Sequence, residues 1–137
     1  GSEMCIRDRA MIEHGYEVNE KWRIDDRYKR DFITMTFPED YMPTAFVCNC
    51  DEAAYRAIRQ LRGMGYNVPE DISIVGYDNY LISEVSDPTI TTINVDADYM
   101  ADLAVMTLMD RMEEPDGKPR IITIEGDLVI KDSVKRI

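Results

Sequence analysis

The sequence is poor in the residues that usually build metal sites and disulfide frameworks. It has one histidine, His14, and three cysteines, Cys5, Cys48 and Cys50, among 137 residues. An odd number of cysteines, two of them separated by a single residue, suits reduced thiols better than a disulfide framework. These residues also lack the ligand number and spacing that a structural zinc site needs. We therefore expect ordinary thiols and no metal site.

Long hydrophobic runs are absent. The longest apolar stretches, such as Ala45–Cys48 and Ile72–Val75, are far shorter than the roughly 20 residues that a membrane-crossing helix needs. No charged-then-apolar leader opens the chain, and Gly1-Ser2 resembles an expression-tag remnant. The sequence therefore predicts a cytoplasmic protein that does not interact with membranes.

Basic residues are outnumbered by acidic ones. The chain has 16 Lys and Arg against 27 Asp and Glu, and its formal net charge is −11 at pH 7. Such a chain would repel the phosphate backbone of a nucleic acid unless its basic residues were strongly clustered. Hydrophobic residues make up 45% and charged residues 31%, a balance typical of soluble folded proteins. We expect one compact unit that does not itself bind DNA.

Recognisable signatures of catalysis are also missing. There is no Gly-x-Ser-x-Gly motif and no phosphate-binding loop in its usual context. Gly63-Met-Gly65 superficially resembles a dinucleotide loop, but it ends a helical segment, where we predict a helix C-cap. His14 lies beside Gly15 at a helix end, which suits a surface role. We expect a protein that is not an enzyme and uses no cofactor, with an unrecognised small α/β enzyme as an alternative.

What the sequence does contain is an alternation of strand and helix patterns. Ala45–Cys48 and Ile72–Val75 are predicted to be buried strands, and between them apolar residues recur at helical spacing from Asp51 until Gly63. A strand, a helix and a strand in this order predict a parallel pair joined by a crossover. The fold class is therefore α/β. The other predicted elements are helices at 7–14, 25–37 and 96–112 and strands at 89–93, 120–124 and 128–130.

Two acidic residues follow the predicted strands directly. Because ligands collect at the carboxyl ends of parallel strands, Asp51 and Asp78 are both candidates for binding a polyol. Asp51 could equally cap the following helix. No helical run follows Asp78 directly, so a ligand contact explains it better than a cap.

Four segments resemble one protein family. They are PTAFVCNCDEAA (43–54), VPEDISIVGYDN (68–79), PTITTI (88–93) and GDLVIKDSV (126–134). In their order and spacing they resemble the C-terminal half of LacI/GalR-family transcription regulators, from about Arg9 to the C-terminus. The resemblance implies a periplasmic-binding-protein-like fold, in which a parallel sheet is flanked by helices and two such subdomains close on a small effector.

The resemblance also implies site residues. Asp78 matches the family's aspartate that binds sugar hydroxyls or another effector, and Cys50 falls where many members carry an effector-contacting asparagine. Trp22 and Asp25 lie near a segment that often stacks on the sugar ring. The effector-binding residues implied are Asp78, Asp51, Cys50, Asn49, Trp22 and Asp25. The helix at 52–62 corresponds to the family's usual dimer interface, with Tyr55, Ile58 and Arg62 as the interface residues, which implies a homo-oligomer.

The resemblance finally implies a division of the chain. Residues 1–9 are expected to be a tag or non-native leader, because Met4–Arg9 is unlike the family and resembles a translated sequencing-adapter remnant. Residues 10–137 are expected to be a partial effector-binding domain, and DNA would be bound only through a helix-turn-helix domain outside this sequence. The implied function is that of an effector-sensing, sugar-binding fragment of a transcription regulator. A periplasmic sugar-binding protein of a transporter is the alternative.

Overall fold

A computed structural model describes residues 3–24, 35–38 and 40–136 of the chain. Helices and strands alternate along it, as the sequence predicts. The elements are α1 (Glu3–Glu13), a short 3-10 helix (Glu20–Trp22), β1 (Ala45–Val47), α2 (Asp51–Gly63), β2 (Ser73–Val75), α3 (Leu81–Val85), β3 (Thr92–Asn94), α4 (Ala97–Glu113) and β4 (Asp127–Val129). The predicted helix at 25–37 falls largely outside the described residues, and its last described positions are not helical.

The strands form two pairs that are joined at β2 and β3. β1 and β2 are parallel, with Phe46 opposite Ile74, whereas β3 and β4 are antiparallel, with Ile93 opposite Leu128. A parallel bridge between Val75 and Thr91 connects the two pairs. The predicted parallel strand-helix-strand unit, β1–α2–β2, is therefore confirmed. β2 lies between β1 and β3, so the ends of these three strands share one edge.

Helix α2 covers one face of this sheet. Ala54, Ala57, Ile58 and Leu61 lie three or four residues apart and are all buried, as expected for an amphipathic helix. They pack with residues of β2 and neighbouring segments into one hydrophobic core. Its buried members are Met35, Phe37, Ala53, Ala54, Ala57, Ile58, Leu61, Ile72, Ile74 and Ile90. The helix ends at Gly63, and Gly65 takes a positive φ of 93°, in agreement with the predicted C-cap.

Helix α4 is present as predicted, but its apolar residues are not buried. None of its side chains reaches the buried class, and Leu108 and Met112 are 61% and 73% exposed. The segment 120–124 is also not the strand that its β-branched residues predict, because no ladder in the described part of the chain includes it. Among the described residues, no helix is long and apolar enough to cross a membrane.

The first helix extends beyond its predicted range. α1 begins at Glu3 rather than at Arg7 and ends close to His14, whose Nδ1 lies 2.8 Å from the carbonyl oxygen of Ala10. Asp8 connects this helix to Arg23, the residue that follows the 3-10 helix. Oδ2 of Asp8 accepts a hydrogen bond from the guanidinium group of Arg23 at 2.6 Å. Hydrogen bonds from Arg7, and then from Arg23, lower the pKa of Asp8 below its usual value.

Candidate functional site

The candidate site is the edge of the sheet at which β1, β2 and β3 end. The amide of Cys48 donates to the carbonyl of Val75 at 2.8 Å, and the amide of Asp51 donates to the carbonyl of Tyr77 at 2.9 Å. On the other side, the amide of Asp78 donates to the carbonyl of Ile93 at 3.0 Å. These bonds bring the segments after β1 and β2 together, which confirms that the two predicted acidic residues follow neighbouring strands.

Asp51 is a buried structural group at this edge. Its exposed fraction is 0%, and both carboxyl oxygens are occupied. Oδ1 accepts a hydrogen bond from the hydroxyl of Thr92 at 2.6 Å, and Oδ2 accepts one from the amide of Tyr80 at 2.8 Å. The side chain thus joins the start of α2 to β3 and to the loop after β2. This burial leaves no carboxyl surface for an effector, so Asp51 is not among the residues that can contact one.

The alternative interpretation of Asp51 as a helix cap is wrong. The N-cap of α2 is Cys50, whose Sγ accepts a hydrogen bond from the amide of Ala53 at 3.5 Å. Asp51 is the first residue of the helix itself, and its side chain is directed into the sheet. Sequence alone favours aspartate over cysteine as a cap, and here the buried partners of Asp51 override that preference.

Gly76 is a residue of the site that sequence reasoning missed. A Cβ atom at this position would overlap with Oδ1 of Asp51 and lie 3.2 Å from its Cα. Only glycine therefore lets β2 pass this close to the start of α2. The signal in the sequence is a glycine directly after a strand pattern, which marks a close approach of backbone without identifying the partner.

The loop at Asp78 and Asn79 has an unusual backbone. Both residues have positive φ angles, 103° and 55°, a region in which non-glycine residues cost about 1–3 kcal/mol each and which often marks functional sites. The amide of Asn79 donates to the hydroxyl of Thr92 at 3.3 Å, and its Nδ2 donates to Oδ1 of Asn94 at 3.1 Å. Asp78 remains partly exposed. The loop therefore presents this residue from a backbone held by β3.

Two further predicted contacts lie on the β1 side of the same edge. Asn49 is exposed and Cys50 is half-buried, and they immediately precede α2. The bond between Asp51 and Tyr77 brings this segment next to the residue that precedes Asp78. The structure thus brings together Asn49, Cys50 and Asp78 and gives this edge both polar and sulfur groups.

Trp22 lies in a depression on the segments that precede β1. Its ring is tilted by 32° relative to that of Tyr41, with the ring centroids 6.3 Å apart. The described residues that line this depression are Asn19, Lys21, Trp22, Thr36, Phe37, Pro38, Asp40 and Tyr41. Asp25 lies outside the described residues. Trp22 is thus beside an aromatic partner, and its grouping with Asp78 stays a prediction.

The predicted dimer residues on α2 have different environments. Ile58 is 2% exposed and belongs to the hydrophobic core, so it cannot form part of an interface, because the face of α2 that carries it packs on the sheet. Tyr55 is half-buried, and the guanidinium carbon of Arg59 lies 5.8 Å from its ring centroid. Arg62 is exposed and donates to the carbonyl oxygen of Asp87 at 2.9 Å. Tyr55 and Arg62 remain available for contact.

The sequence matches a family model described as the periplasmic binding protein-like domain over residues 3–134. It is 34% identical over 131 residues to the HTH-type transcriptional repressor PurR of Pasteurella multocida, covering 93% of this chain and 39% of the relative. The corresponding repressor of Glaesserella parasuis is 27% identical, with 94% and 41% covered. The chain therefore spans about two fifths of the length of the curated relatives it matches.

Solved structures agree with these relatives. A LacI-type transcription regulator from Bifidobacterium animalis superposes with a TM-score of 0.61 and 35% identity, covering 68% of this chain and 33% of that one. The LacI family regulator CCPA from Weissella paramesenteroides, with bound glucose, has a TM-score of 0.57 and 31% identity, with 66% and 31% covered. The chain therefore belongs to the periplasmic binding protein-like domain family, in the form that makes up the effector-binding domain of LacI-type transcription regulators.

Proposed function

We propose that this chain is a small-molecule-sensing part of a LacI-type transcription regulator and that its effector is a sugar or a related polyol. The observation that carries the proposal is the loop at Asp78, which holds a partly exposed acidic residue just beyond the end of β2. A carboxylate accepts strong hydrogen bonds from hydroxyl groups, and the carboxyl end of a parallel sheet is the usual ligand position in such folds. The glucose bound to the regulator from W. paramesenteroides supports this effector class.

Asn49 and Cys50 complete the proposed contacts. Asn49 offers an amide that can both donate to and accept from a hydroxyl, whereas the thiol of Cys50 is a weak hydrogen-bonding group. Trp22 and Asp25 are proposed as additional contacts from the preceding segments, since an aromatic ring suits the apolar face of a sugar. The polar residues would fix the orientation of the ligand, and the aromatic residue would supply apolar contact area.

The proposed regulator acts in the cytoplasm, where Cys48 and Cys50 stay reduced. Its output is effector-dependent DNA binding through a helix-turn-helix segment of the longer regulator, and it carries out no catalysis. The similarity to proteins named HTH-type transcriptional repressors supports this part of the proposal. The chain also self-associates in this proposal, with half-buried Tyr55 and exposed Arg62 of α2 forming the contact.

Effector binding is tested by calorimetric titration of the chain with glucose, ribose and sucrose. We expect saturable binding of at least one sugar, and Asp78→Asn should weaken it about tenfold or more, because a hydrogen bond to a charged group contributes about 1.5–3 kcal/mol. Asparagine tolerates a positive φ, so the loop should keep its backbone. Asp116→Asn, the same chemical change in an exposed turn, is the matched control and should leave the affinity unchanged. Equal affinities of the Asp78→Asn and wild-type chains would contradict the proposed role.

Self-association is tested by sedimentation equilibrium over a wide range of concentration. We expect a dimer in the high micromolar range, and Tyr55→Ala combined with Arg62→Ala should shift the equilibrium towards the monomer. A wild-type chain that stays monomeric throughout this range would refute this part of the proposal without affecting effector binding.

A further inference from the structure

Lys131, which follows β4, carries an ammonium group that is almost completely enclosed. Its side chain is 9% exposed. Nζ donates to Oδ1 of Asn79 at 3.0 Å and to Oγ of Ser83 at 2.8 Å, and it lies 2.6 Å from Oε1 of Glu84. Because a buried ammonium is costly unless it is paired, its position is determined by these three acceptors.

The hydrogen bonds around this ammonium are complete. Its three N–H donors meet three acceptors, and the hydroxyl of Ser83 uses its own proton to donate to the carbonyl of Tyr80 at 2.7 Å. The backbone amide of Lys131 donates to the hydroxyl of Thr91 at 2.9 Å, which fixes the start of the side chain on the sheet. Lys131 therefore joins the sheet to the segment 79–84.

Asn79 connects this lysine to the candidate site. Its Oδ1 faces Lys131, its Nδ2 faces Asn94, and its backbone amide faces Thr92. Asn79 and its neighbour Asp78 both have positive φ angles, and such a backbone persists only where surrounding contacts hold it. Among the hydrogen bonds that Asn79 makes with Lys131, Asn94 and Thr92, the one with Lys131 involves a charged group.

We propose that Lys131 is a positioning residue of the effector site: its ammonium group holds the Asp78–Asn79 loop in the left-handed region and so places Asp78 for contact with the effector. The role in sensing rests on the proposed function of Asp78. The role in loop geometry depends only on the contacts above. Glu84, 57% exposed, holds the outer side of the ammonium.

The test is hydrogen exchange of individual backbone amides, measured by NMR on the 137-residue chain. In Lys131→Met, exchange of the amides of Asn79 and Tyr80 should accelerate about tenfold or more, because a hydrogen bond to a charged group contributes enough for such a factor. The amides of Ala57 and Leu61 in α2 should change much less. Lys131→Arg, which keeps the charge and the donors, should restore slow exchange. Lys118→Met, at an exposed lysine, is the control for the loss of one positive charge.

Glu84→Ala is a milder variant that keeps the test decisive if Lys131→Met does not fold. It removes one exposed partner of the ammonium, so exchange at Asn79 and Tyr80 should rise about two- to threefold, as expected for a surface ion pair. Equal changes in α2 and in the loop, or a failure of Lys131→Arg to restore slow exchange, would overturn the positioning role.

Effector binding separates this inference from the proposed function. If the wild-type chain binds glucose, ribose or sucrose, Lys131→Met should weaken that binding about tenfold and Lys131→Arg should restore it. Unchanged affinity in Lys131→Met would overturn the positioning role while the proposed function stands. If none of the three sugars binds to the wild-type chain, the proposed sugar binding by this chain is refuted, and the exchange rates alone decide the role of Lys131 in the loop.

Discussion

Asp51 and Asp78 are the same residue type at two neighbouring strand ends, and their surroundings separate their roles. Asp51 lies under Gly76, with an internal donor on each carboxyl oxygen. Asp78 lies one strand further along the edge and stays partly exposed. A buried group with complete hydrogen bonds stabilises the fold, whereas an exposed acidic residue on a constrained loop is suited to binding a ligand.

Asp51→Ala should therefore destabilise the chain. The substitution leaves the buried hydroxyl of Thr92 and the part-buried amide of Tyr80 without their acceptor, and a buried donor without an acceptor costs about 1–3 kcal/mol. We expect the free energy of unfolding, measured by urea denaturation, to fall by about 2–4 kcal/mol. Glu52→Ala removes the exposed neighbouring carboxylate and its ion pair with Arg56, and it should stay within about 0.5 kcal/mol of the wild type. Similar losses in the two variants would contradict the structural role of Asp51.

Sequence alone could place these residues at strand ends but not define their surroundings. The position of Asp78 after β2 follows from the local pattern of apolar residues and glycine. The burial of Asp51 depends on Thr92, 41 residues away, and the contact of Lys131 with Asn79 spans 52 residues. No local pattern encodes such partners, so Lys131 carries no signal in the sequence beyond its charge. The role of Cys50 as the cap was likewise hidden by a better capping residue next to it.

At the scale of elements, the pattern of apolar residues located helices better than it predicted their burial. Both α2 and α4 show apolar residues at helical spacing, and both are helices. α2 packs on the sheet through Ile58 and Leu61, but in the described structure α4 keeps Met106, Leu108 and Met109 exposed. Periodicity indicates which residues share a face, and only the tertiary fold decides whether that face is covered. The same reason applies to 120–124, where Ile121 is 97% exposed and belongs to no ladder.

The two helices should consequently differ in their sensitivity to truncation of side chains. Leu61→Ala removes a fully buried side chain from the core and should lower the free energy of unfolding by about 2–5 kcal/mol. Met109→Ala removes a side chain that is 58% exposed and should change it by less than about 0.5 kcal/mol. Urea denaturation of both variants at one low protein concentration measures the difference. A loss of several kcal/mol in Met109→Ala would show that α4 is covered in solution.

At the scale of the whole molecule, the fold class and the family follow from the sequence, because four segments keep their order and spacing along the chain. The periplasmic binding protein-like domain covers residues 3–134, and β1, β2 and β3 meet at the edge where the strand order places them. The extent of the proposed effector site does not follow in the same way. The chain spans about two fifths of the length of its curated relatives, and its local sequence patterns do not define which residues surround the proposed site.

The net charge leads to the last prediction, that this chain does not bind duplex DNA at physiological salt. Association with DNA is driven largely by Lys and Arg contacts with phosphates, whereas this chain has a formal net charge of −11. Several of its cations are already paired with carboxylates, including Arg23, Arg56 and Lys131. Fluorescence anisotropy with a labelled duplex should stay flat at about 0.15 M salt, since the net negative charge repels the phosphate backbone once the two molecules come within about a Debye length. Lowering the salt should not reveal saturable binding, because weaker screening strengthens the repulsion. Saturable, sequence-selective binding by the 137-residue chain would show instead that its few basic residues form a DNA-contacting surface.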